Sequence, residues 1–195
     1  MANARITTRM DVRERLFTAD EYHRLAEVGI LHEDDRVELL DGVIVEMSPI
    51  GVSHASCVDR LMALLQRRYG DRAIIRVQGP IRLNMYSEPQ PDLSILKPRA
   101  DFYGGAHPGP SDVLAVIEVA DTSLRFDRDV KMPLYARAGI AECWLIDLGT
   151  DTVEVFTQPS STGYLASHVA SRGDRLPTHA LASIDLTVTD VLGDR

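Results

Sequence analysis

The chain has 195 residues, a formal net charge of −8, and 45% hydrophobic and 26% charged residues. That length fits one domain with a substantial core, and the balance is that of an ordinary soluble globular protein. No apolar run approaches the roughly 20 residues of a membrane span, and the acidic balance argues against nonspecific binding to nucleic acid.

The first residues, MANARITTRMDVRERLF, contain no apolar stretch of the kind a secretory signal needs. The two cysteines, Cys57 and Cys143, lack metal-type spacing, so neither a disulfide framework nor a cysteine zinc site is expected. A reducing cytoplasm is the simplest compartment for such a chain. One domain over residues 1–195 is expected, with its core at about 16–190.

In chain order, FTADEYHRLAEVG opens a helix, with Thr18 as cap and Glu21 three residues on completing a capping box. RVELLDGVIVEM reads as a hairpin about Asp41-Gly42. SHASCVDRLMALLQRRYG is an amphipathic helix with Val58, Leu61, Met62 and Leu65 on one stripe and Gly70 at its end. RAIIRVQGPIRLN predicts a strand, a Gly-Pro break and a second short strand, and PDLSIL another short strand. KPRADFYGGAHPGPSD is a Gly/Pro-rich loop. DVLAVIEVA is a strand buried on both faces, and DRDVKMPLYARAG is a helix. Pro133 within that helix means either a late start or a distorted first turn. ECWLIDL is a buried strand, TVEVFTQ an exposed one paired with GYLASHVA, and SIDLTVTDVLG a last strand-like or helical element. The order predicts an α/β (α+β) domain with a mixed sheet.

Glu118 interrupts the apolar strand Val113–Ala120. An unpaired buried carboxylate costs several kcal/mol, so it needs a partner. Asp92 opens the PDLSIL strand, and Lys131 lies on the helix after Glu118, four residues from Asp127 and one turn before Tyr135. Two carboxylates that converge from neighbouring strands repel unless a cation sits between them, and Mg2+ is a hard ion that takes such oxygen ligands. The bland alternative is a Glu118–Lys131 ion pair with Asp92 as a turn residue. Of the 21 basic residues only Lys97 and Lys131 are lysines, so a plain ion-pair partner here would more naturally be arginine. Arg60, Arg67, Arg68, Arg72, Arg76 and Arg82 form either a local basic face or a solvated helix face.

The blocks RVELLDGVIVEMSPIGVSH, PDLSIL and IEVADTSLRFDRDVKMPLYARAGIAECWLIDL resemble the putative restriction endonuclease family of bacteria, a branch of the PD-(D/E)XK nuclease superfamily, over roughly residues 16–190. The resemblance implies a restriction-endonuclease-like mixed sheet flanked by helices. It implies metal-dependent hydrolysis of DNA phosphodiesters, with Asp92, Glu118 and the Val119 carbonyl holding Mg2+ (Mn2+ as substitute). The superfamily's lysine normally lies two residues after the glutamate, where this chain has Ala120. Lys131 matches a migrated lysine supplied by the next helix. Glu38 and His54 match the family's upstream Glu and His, against an exposed hairpin residue and a helix cap as the structural alternatives. Asp127 fits the pattern too, although an Asp at a helix start needs no catalytic role. DNA as partner and a homodimer are implied, with no small-molecule cofactor. The rival reading is a catalytically degenerate nuclease-fold module that binds nucleic acid or protein without cutting. A structural or assembly protein that binds neither metal nor DNA is the further alternative.

Overall fold

The computed structural model describes residues 14–32, 34–178 and 185–194. Its centre is a six-stranded sheet in the order β3-β4-β5-β6-β7-β8, formed by Ile74–Val77, Leu93–Leu96, Val113–Ala120, Glu142–Asp147, Thr152–Ser160 and Gly163–Ser171. All neighbours are antiparallel except β5 and β6, which are parallel. The sheet is therefore mixed, as expected, and its one parallel pair needs a crossover, which the helical run after Glu118 supplies. β1 (Val37–Leu40) and β2 (Val43–Glu46) form a separate hairpin.

Local chemistry fixes the early elements. Helix α1 (Ala19–Glu27) carries the expected box: the Glu21 N–H donates to Thr18 Oγ1 at 3.2 Å, and the Thr18 N–H to Glu21 Oε2 at 3.0 Å. In the β1–β2 turn, Asp41 and Gly42 both have positive φ, +47° and +81°. Glycine is required at 42 for a second reason, because a Cβ there would lie 2.5 Å from Leu16 Cβ. Helix α2 (Val52–Tyr69) buries Cys57, Val58, Leu61, Leu64 and Leu65, and the stripe centres on Leu61. Met62, expected in that stripe, lies one step past its edge and is exposed. His54 falls on the stripe, four residues before Val58, so α2 aims it at the sheet.

One further expectation meets a physical correction, and two alternatives left open by the sequence are resolved. IRLN forms no strand. Ile81 and Leu83 are buried and their N–H groups donate to Pro89 O and Ser87 O, but Pro89 has no N–H to return, so no continuous ladder forms. Of the two outcomes left open by Pro133, the helix holding Lys131 takes the distorted turn and not the late start. It runs as α3 (Leu124–Phe126), a π turn (Asp127–Lys131) and α4 (Met132–Arg137), with the Met132 N–H donating to Asp127 O five residues back. The wider turn makes room for the Pro133 ring, which would otherwise press on the carbonyl of the turn before it. The C-terminal element resolves as helix α5 (Val188–Leu192), capped by Thr187, while Ser183 and Ile184 of that stretch lie outside the described residues.

The sheet separates two cores. On one face Ala115, Ile117 and Val119 of β5 pack with α2 and α5; on the other, Val116 packs with Met132, Leu134 and Tyr135 of α4. Cys57 and Cys143 sit in different cores, both as free thiols. Alternation along β5 puts Glu118 on the Val116 face, toward the π turn and α4.

Candidate active site

β4 runs antiparallel to β5 with Leu93 opposite Ile117, so Asp92, one residue before β4, arrives beside Glu118. The Val119 N–H donates to Asp92 Oδ2 at 2.9 Å, and the Asp92 N–H reaches Glu118 Oε2 at 3.4 Å. The Lys131 ammonium stands between two carboxylates, 3.2 Å from Glu38 Oε1 and 3.3 Å from Glu118 Oε1. The Tyr135 hydroxyl donates to Glu118 Oε1 at 2.6 Å. His54 Nε2 lies 3.0 Å from Asp92 Oδ2. Five side chains from β1, α2, the β4 approach, β5 and the π turn thus meet in one place: Glu38, His54, Asp92, Glu118 and Lys131. Val119 lines the same cavity, of about 480 Å³, and also belongs to the core that packs on α2.

Glu38 is not an exposed hairpin residue. It is 2% exposed, and its Oε2 accepts the Gln90 N–H at 3.0 Å. His54 does not cap α2, whose N-cap is Gly51 with no side-chain bond. Asp127 is buried and accepts from Ser123 Oγ at 2.6 Å. Gln90 and Ser123 carry no sequence signal beyond proximity to Asp92 and Asp127. Tyr135 was visible only as the residue one turn beyond Lys131. Four of the six clustered arginines make structural bonds: Arg60 to Leu192 O at the end of α5, Arg72 to Tyr69 O and Arg68 O at the end of α2, Arg76 to Phe102 O, and Arg82 to Asp20.

Electrostatics follow from burial. Four carboxyl groups, on Glu38, Asp92, Glu118 and Asp127, face the Lys131 ammonium and the His54 imidazole. Burial pushes Glu118 up to about 8, against the pull of Lys131 and with the help of Asp92, Asp127 and Glu38. Burial also raises Asp127. Burial opposes the charge on Lys131, but Glu118, Glu38 and Asp127 outweigh it and hold the ammonium above the ordinary lysine range. The hydrogen bond to Asp92 raises His54, against burial. The cluster has more carboxylates than cations, which is the chemistry of a cation site.

A pH dependence follows. Folded Glu118 keeps its proton to about pH 8, whereas its ordinary value is 4.5. The unfolded chain therefore binds fewer protons in that window, and stability falls as pH rises through it. His54, raised above its ordinary 6.5, loses its contribution in the same direction as pH passes its folded value. Carboxylates with lowered values, Glu21, Asp101 and Asp190, are ionised in both states above about pH 5 and add no slope there. In chelator, urea unfolding should show stability falling by on the order of a few kcal/mol between about pH 5 and 8. Glu118→Gln should remove the larger part of that slope. A flat wild-type profile would contradict the buried-carboxylate account.

Comparison with known proteins gives this geometry a family. The profile of the Uma2 family, described as "Putative restriction endonuclease", matches residues 19–189.

The chain belongs to the Uma2 family.

A crystal structure titled as a putative nuclease belonging to DUF820, from Anabaena variabilis ATCC 29413, has the same fold. The TM-score is 0.71 at 16% identity, covering 90% of this chain and 97% of that one. No curated protein matches the chain. The family makes nuclease the coarse functional class, and all five side chains expected to act in this Uma2 chain lie around one cavity. No helix among the described residues is long and apolar enough to cross a membrane.

Proposed function

We propose that this Uma2 protein is a divalent-metal-dependent endonuclease that hydrolyses DNA phosphodiester bonds at the Asp92–Glu118–Lys131 cluster. The observation that carries the reading is the buried surplus of carboxylates around one lysine, at the ends of β4 and β5 and on the wall of an open cavity. The donor set fits Mg2+, with Mn2+ as substitute: carboxylate oxygens of Asp92 and Glu118, the Val119 carbonyl, and room for the waters and phosphate that this ion retains. When bound, the ion polarises the phosphate and makes a coordinated water more acidic.

The chain's own side chains do the rest. The Lys131 ammonium offers positive charge to the phosphate oxygens as they gain charge in the transition state. Glu38, anchored by the Gln90 N–H, holds Lys131 in place. His54 orients Asp92, and Tyr135 orients Glu118. The sum is addition of water across a P–O ester bond. Lys131 reaches Glu118 from the following helix, which is the role the missing lysine at Ala120 would have filled. The test is incubation with plasmid, linear duplex and single-stranded DNA in Mg2+, in Mn2+ and in chelator. Metal-dependent cleavage is expected. DNA binding without cleavage in either metal would favour the degenerate module, and neither activity would favour an assembly role.

We further propose a homodimer, with two sites for the two strands of a duplex. Strand β8 pairs only with β7 among the described residues, so its outer edge is open, and Leu165 and Val169 on it are exposed. Light scattering at micromolar concentration should give twice the mass of the chain. A monomer there would contradict this.

A further inference from the structure

A second cluster, outside the carboxylate site, joins three parts of the chain that are distant in sequence. His23 is on α1, Glu88 is on the segment leading to Asp92, and His107 is in the Gly/Pro-rich loop. His23 Nε2 lies 2.8 Å from Glu88 Oε1, His107 Nε2 lies 4.0 Å from the same oxygen, and the two imidazoles stack at 5.9 Å. The donor atoms of all three lie within 4.8 Å of one another, and this is the one His/Cys/Asp/Glu group of three or more among the described residues that is so tight. Glu88 is 2% exposed, yet its Oε2 has no hydrogen-bond partner.

A His–Glu ion pair accounts for Oε1 alone. It leaves a buried carboxylate oxygen unsatisfied, which costs free energy, and it gives His107 no bond. A metal ion between the three groups would use the carboxylate and both imidazoles. We infer that His23, Glu88 and His107 form a binding site for a borderline transition-metal ion of the Zn2+ class. Two imidazole nitrogens and one carboxylate suit zinc rather than a hard ion such as Mg2+, and three protein ligands leave a fourth position open. Tetrahedral zinc, with ligands at about 2.0–2.1 Å, sets its donor atoms roughly 3.3 Å apart. The half-exposed His107 side chain closes the remaining distance by a small rotation. The ion would staple α1 and the loop to the segment whose Glu88 backbone pairs with Leu39, next to Glu38.

The experiment is calorimetric titration of ZnCl2, with parallel thermal melts, into Asp92→Asn protein, which lacks a main ligand of the carboxylate site. The Asp92→Asn protein should bind about one zinc per chain and melt several degrees higher with zinc, with little response to Mg2+. Adding His107→Ala, in an exposed loop where folding is least at risk, should abolish both the zinc binding and the shift, and adding His23→Ala should do the same. The inference is overturned if Asp92→Asn protein binds no zinc, or if Asp92→Asn/His107→Ala protein binds as much. Neither result bears on the nuclease reading, whose assay uses other residues and another metal.

Discussion

Lys131→Ala should cripple DNA cleavage and yet leave the protein more responsive to Mg2+ than the wild type. Lys131 is 5% exposed and lies within 3.3 Å of both Glu38 and Glu118. Losing a preorganised charge at the phosphate should lower the rate about 10²–10³-fold, the scale seen when one transition-state donor is removed. In chelator the same substitution leaves two buried carboxylates without their cation, and should cost about 3–5 kcal/mol. A divalent ion then has more repulsion to relieve and no competing ammonium. Melting temperature in chelator should therefore fall, and the rise on adding Mg2+ should exceed that of the wild type. Parallel melts and plasmid cleavage measure both halves. A variant that cuts at close to the wild-type rate, or that loses its Mg2+ response, contradicts the role given to Lys131.

Glu118→Gln should separate charge from shape. The amide oxygen can still accept from the Tyr135 hydroxyl, which now meets Glu118 Oε1 at 2.6 Å, while one of the crowded negative charges is gone. Lys131 retains Glu38 at 3.2 Å. At pH 8 in chelator the variant should be no less stable than the wild type, because the charge it lacks is one that burial opposes. Cleavage should drop below detection, since a neutral amide is a poor ligand for a hard cation. A structural salt bridge differs at two points: Glu118→Gln would then destabilise the chelated protein as Lys131→Ala does, and neither substitution would touch a metal response. Urea unfolding in chelator and a plasmid assay in Mg2+ distinguish the two.

Much of this site was legible because burial makes polarity conspicuous. Glu118 announces itself by standing in an eight-residue apolar strand, and Lys131 by being one of two lysines in an arginine-rich chain. The capping box and the Asp41-Gly42 turn were readable because each is a short-range bond pattern with few alternatives. Features that depend on distant partners were not. The IRLN stretch has strand chemistry, and its ladder fails at Pro89 on the returning segment. Pro133 signalled a disturbance, and which of its two outcomes forms, a late start or a distorted turn, is visible only in the folded chain, where Asp127–Lys131 makes a π turn. Met62 misled because a stripe read from sequence has no fixed centre until the sheet supplies one. The alternatives for Glu38 and His54 could be weighed only once the hairpin and α2 were placed about Lys131 and Asp92. Nothing local marked His23, Glu88 and His107 as neighbours, since they come together only through the fold.

The central claim is that the surplus of buried carboxylates at Asp92 and Glu118 exists to hold a divalent cation. Its most direct test is the melting temperature of the wild type at pH 8 in chelator, in Mg2+ and in Mn2+, beside Glu118→Gln under the same conditions. The account predicts a rise in either metal that grows with concentration as RT ln(1 + [L]/Kd) and is largely absent in Glu118→Gln. A wild-type melting temperature that ignores both metals would contradict it.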